Sequence, residues 1–73
     1  MRTRMITALK AHYNGEIAKH KMNVEAFFSS PVGVGEHIDI METISAEIGK
    51  IAEFEDKLAM LDLHFIPQEM PKI

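Results

Sequence analysis

Cysteine is absent from this 73-residue chain. That excludes disulfides, thiolate metal sites and cysteine nucleophiles, and leaves nothing to argue for an oxidising compartment. Long apolar runs are missing as well. The opening Met1-Arg2-Thr3-Arg4-Met5-Ile6 is soon broken by Lys10, His12 and Asn14, unlike the apolar core of a secretory signal, and no segment approaches membrane-spanning length. A soluble, cytoplasmic protein is the expectation. Catalytic pairings are lacking too: no serine, threonine or lysine has an identifiable base beside it, and so short a chain cannot enclose a pocket alone. Gly33-Val34-Gly35 has neither the preceding strand nor the longer glycine pattern of a phosphate loop and reads as a turn. No enzyme and no cofactor are therefore expected.

What is present is helical periodicity. Ile6, Leu9, Tyr13, Ile17, His20, Val24 and Phe27 recur every three or four residues and share one helix face. On the opposite side lie the small residues Ala8, Ala11, Gly15 and Ala18, with Met22 and Ala26. Such a back can receive a second helix at close range. Asn14-Gly15 is a favoured hairpin-turn dipeptide and could split the helix. The apolar stripe nevertheless keeps step from Tyr13 to Ile17, so one helix over about 3–29 is expected.

Proline and glycine mark the middle. Pro31 pushes Ser30 out of helical geometry, and Gly33 and Gly35 adopt positive φ without steric cost, so 30–38 reads as a loop. Asp39-x-x-Glu42 then has the spacing of a capping box, and Pro67 disfavours helix at Ile66. A second helix over about 39–65 follows, with a tail of 66–73 that either folds back or docks on something else. Within it Ile44, Ile51, Leu58 and Phe65 form a row every seven residues, a coiled-coil-like seam. Its flank is read as Met41 and Ile48 early and as Phe54 and Leu61 later, so that the stripe slews around the helix.

Two helices of about 26 residues, roughly 39 Å each at 1.5 Å per residue, can lie antiparallel along their whole extent. The expected fold is all-α: one domain, an antiparallel two-helix hairpin. Two helices share a single seam, and a chain this small seldom stabilises itself on one such seam. Without disulfides a partner chain is what remains, so a homodimer resembling a four-helix bundle is expected. Its interface is expected to use Ala8, Ala11, Gly15, Ala18 and Met22 on the first helix, and Ile44, Ile51, Leu58 and Phe65 on the second.

Charge is unevenly divided. Residues 1–30 carry Arg2, Arg4, Lys10, Lys19 and Lys21 against Glu16 and Glu25, a balance of +3. Residues 39–66 carry seven acids against Lys50 and Lys57, a balance of −5. Arms of opposite sign attract, within a hairpin or between chains. In an antiparallel hairpin Arg2, Arg4 and Lys10 fall beside the carboxyl end of the second helix, where Asp62 and free carbonyls lie. The net charge of −3 argues against a nucleic-acid partner, although a nucleic-acid factor using the basic first helix is a competing reading.

A second competing reading is chemical. His12, Glu16 and His20 stand at i, i+4 and i+8, so their side chains form a column, and two imidazoles with a carboxylate can hold a divalent metal. The Glu-x-x-His spacing of di-iron bundles is absent. His20 also lies within the apolar stripe, so a core or interface histidine is the plainer role. His64, in the last turn of the second helix, complements the negative helix terminus, and His37 lies just before that helix.

Several stretches also carry a family likeness: Ala8-Leu9-Lys10-Ala11-His12-Tyr13, Gly15-Glu16-Ile17-Ala18-Lys19, Asn23-Val24-Glu25 through Pro31-Val32-Gly33-Val34-Gly35-Glu36-His37, and Lys50-Ile51-Ala52-Glu53 with Glu55-Asp56-Lys57-Leu58. Together, over residues 8 to 61, they resemble a short helical protein of tailed phages that infect marine bacteria. Ile38 stands where that family is expected to carry proline. The resemblance implies a phage origin, work in an infected host cytoplasm or in a virion, and no active site.

Overall fold

A computed structural model of the chain describes residues 1–29 and 39–67. It contains two α-helices, α1 (Arg2–Ser29) and α2 (Ile40–Phe65), packed against each other, and no strand among the described residues. The expected loop 30–38 and the tail beyond Pro67, with His37 in the former, lie outside the described residues.

The two helices are stabilised at their ends by different means. At the start of α2, Asp39 is in extended geometry (φ −76°, ψ 103°) and its Oδ1 accepts from the Glu42 amide at 3.1 Å. One orphan donor of the first turn is thereby satisfied, and Glu42 adds a negative charge there. Ile66 leaves the helix in extended geometry (φ −119°, ψ 125°), as the following proline requires. By contrast, the first turn of α1 holds no acid and carries Arg2 and Arg4, a poor match to the positive end of a helix. Its compensation is tertiary, since Arg2 Nη2 donates to the Phe65 carbonyl at 2.6 Å and so covers the negative end of α2. Nearby, Lys10 pairs with Asp62 at 3.5 Å. These contacts place the basic arm at the carboxyl end of α2, as the charge pattern predicts.

Arg2 meets Phe65, Tyr13 meets Phe54 and His20 meets Glu47, and in each pair the residue numbers add to 67. The helices are therefore antiparallel in one register along their length. Two heptad rows on each helix face inward, all of them buried or half-buried: Ile6, Tyr13, His20, Phe27 with Lys10, Ile17, Val24 on α1, and Ile44, Ile51, Leu58 with Ile40, Glu47, Phe54, Leu61 on α2. Gly15 sits within uninterrupted helix, so the turn dipeptide does not split α1.

Two details of the expected stripes are corrected. The stripe of α2 does not slew: Met41 and Ile48 are exposed, and the inner flank runs straight through Glu47, Phe54 and Leu61. The carboxylate of Glu47 can occupy that flank because His20 and Asn23 lie opposite it on α1. On α1, Leu9 is exposed and Lys10 takes the inner step, its ammonium reaching Asp62. A long lysine stem can cover apolar surface while its charge stays at the edge.

Candidate functional site

Two features of the hairpin could carry function: a polar cluster inside the seam and an apolar surface outside it. The cluster centres on His20, the one buried polar side chain among the described residues. Its Nδ1 lies 3.1 and 3.2 Å from the two carboxylate oxygens of Glu47, and its Nε2 lies 3.4 Å from Glu16 Oε2. Asn23 Nδ2 donates to the same Glu47, and Lys19 pairs with Glu16 at 3.1 Å. Carboxylates can only accept here, and a neutral imidazole has a proton for one of them, whereas the imidazolium has one for each.

Both carboxyls are held below their ordinary range. For Glu47 the hydrogen bond from Asn23 contributes most, followed by that from His20. For Glu16 the hydrogen bond from Lys19 leads. Phe54 closes one side of the cluster, its ring nearly parallel to that of His20 at 11° with centroids 6.3 Å apart. The same phenylalanine meets His12 edge-on at 5.9 Å and carries the Lys57 ammonium 5.0 Å over its ring.

The column of His12, Glu16 and His20, the competing metal reading, is not brought together as a ligand set. His12 is turned to the Tyr13 and Phe54 rings, while Glu16 and Glu47 face opposite edges of one imidazole. Among the described residues no three His, Cys, Asp or Glu side chains are grouped to hold a metal ion.

The outer surface is the more unusual feature. Among the described residues three apolar side chains are buried, Val24, Ile44 and Leu61, and no large side chain is fully enclosed, while ten large apolar residues are exposed. Met5 is 60 % exposed, Met60 39 % and Phe65 56 %. With Ile6, Leu9 and Tyr13 these three line an open groove of about 460 Å³ near the helix ends that meet at Arg2 and Phe65.

The residues expected at a chain–chain interface divide between the two sides. Ala8, Ala11, Gly15, Ala18 and Met22 are all exposed, and a Cβ built on Gly15 would meet nothing within 4 Å. Phe65 is exposed as well. Ile44, at 7 % exposure, is already covered within the chain, and Ile51 and Leu58 are half-covered by the same seam.

Glu47 and Asn23 were not legible as members of a site, because each reads as a solvated polar residue. The signal that could have found Glu47 is its place in the seven-residue row from Ile40 to Leu61. Among the described residues no helix is long and apolar enough to cross a membrane. Comparison of the chain with family models, with curated proteins and with solved structures finds no match.

Proposed function

We propose that this protein is a non-enzymatic helical hairpin that associates with copies of itself, two hairpins forming a four-helix bundle that serves as a structural or protein-interaction module. The observation that supports the reading is the imbalance of its apolar surface: among the described residues ten large apolar side chains are exposed against three buried. Scattered single hydrophobes are ordinary on a protein surface. Here, however, Met5, Leu9, Met60 and Phe65 gather around one groove, and contiguous apolar surface of that kind marks an interface. Two helices with one seam also fall short of the core that a chain of this size needs to fold alone. A phage origin, with work in the host cytoplasm or in a virion, is part of the same proposal and rests on the sequence resemblance alone.

Light scattering across a dilution series tests the assembly. A molar mass of twice the 8.3 kDa chain, falling only at high dilution, is expected. A stable helical species of one-chain mass at every concentration would remove the proposal.

A further inference from the structure

We propose that the polar layer of buried His20, half-buried Glu47 and exposed Asn23 is a register lock, which confines the antiparallel helices to one of several alignments that their apolar seams would otherwise accept.

The need for a lock follows from the repeat. Ile6, Tyr13 and Phe27 on α1, and Ile40, Phe54 and Leu61 on α2, are spaced by sevens and are all apolar or aromatic. Sliding one helix by a heptad, about 10.5 Å at 1.5 Å per residue, replaces each apolar layer by another apolar layer. The ten residues 30–39 between the helices span roughly 33 Å when extended, so connection length does not forbid the slide. Besides the end contacts of Arg2 with Phe65 and Lys10 with Asp62, what changes is the polar layer. In the observed register His20 faces Glu47. Slid by one heptad in either direction, His20 faces Phe54 or Ile40, and Glu47 faces Phe27 or Tyr13.

The penalty falls unequally. His20 keeps Glu16, which lies on its own helix, in every register. Glu47 loses both of its donors, because His20 and Asn23 are on the other helix. It is then a half-buried carboxylate set against an aromatic layer with neither cross-helix donor, and partial loss of water without a hydrogen bond carries a cost. A single polar residue at a seam position sets register in coiled coils in this way, at some expense in stability. The observed register leaves no buried side-chain nitrogen or oxygen without a partner among the described residues.

Because the chain has no cysteine, engineered cysteine pairs read the register directly. Ile6→Cys with Leu61→Cys reports the observed alignment, and Tyr13→Cys with Leu61→Cys reports an alignment slid by one heptad. With His20 and Glu47 in place, mild oxidation is expected to close an intrachain disulfide in the first pair and not in the second. Adding His20→Leu and Glu47→Leu is expected to leave the chain helical by circular dichroism, to raise its melting temperature, and to increase the slid cross-link more than tenfold. Adding His20→Asn and Glu47→Asn instead keeps a polar layer that can pair with itself, and is expected to return the slid cross-link to background.

Four results would each overturn the lock: a slid cross-link in the parent background, none in the leucine background, an equal yield in the asparagine and leucine backgrounds, or a leucine variant that unfolds. The last would make the layer a source of stability and not of alignment.

Discussion

Glu47 ties the hairpin to pH, and Glu16 does so to a lesser extent because its leading donor, Lys19, is an exposed neighbour on the same helix. Both carboxyls are held below their ordinary range by donors that exist in the folded chain. A carboxyl depressed on folding contributes stability that is present above its unfolded pKa and is lost as the pH falls through its folded pKa. Stability is therefore expected to hold at neutral pH and to decline in acid, below the ordinary carboxylate range near pH 4. Urea midpoints measured from about pH 6 to about pH 2 should show the decline. Glu47→Gln should shorten it, and an unchanged acid slope in that variant would show that Glu47 is not coupled to folding. Glu53 is also held low, chiefly by Lys57 one turn away, but this is a pair on one exposed helix face and contributes little.

The two helices differ in how far they stand on their own. In α2, Asp39 caps the first turn, and Asp39→Ala is expected to cost about 1 kcal/mol in chemical denaturation. In α1 the ends carry no favourable charge, and Gly15 lies in mid-helix with open space around it. Gly15→Ala is therefore expected to raise stability by about 1 kcal/mol through helix propensity, with a higher melting temperature and unchanged molar mass. A loss instead of a gain would identify Gly15 as a point where the backbone of a second chain comes close.

Both helices were legible along the chain because capping, proline and heptad spacing act over a few residues. The inner membership of Lys10 and Glu47 was not, since a polar residue in a seam is accepted only when its partner on the other helix is known. Leu9 shows the converse: its type and spacing suit the stripe, yet the register gives its step to Lys10.

For the hairpin as a unit, the proposed association through the exposed apolar groove would make stability a property of concentration. When the folded form associates and the unfolded form does not, mass action raises the melting temperature with protein concentration. Thermal melts over a hundredfold concentration range are expected to shift upward as the chain is concentrated, and Phe65→Ser should flatten that dependence. Phe65 is the suitable residue because it is 56 % exposed at the groove and only its backbone carbonyl is engaged by Arg2. A midpoint independent of concentration in the parent chain would mean that the exposed methionines and phenylalanines are not joined to those of another copy.

The all-helical class, the two helix spans and the attraction of the amino-terminal cations to the end of α2 follow from the order of residues, since each depends on short-range periodicity, capping or net charge. The register, the straight inner flank of α2 and the burial of His20 between two carboxylates depend on side chains from different helices. His20 and Glu47 are 27 positions apart, and no pattern along one helix states what the facing helix presents. Packing settles that, because a half-buried carboxylate in a seam is favoured where a donor from across the seam meets it.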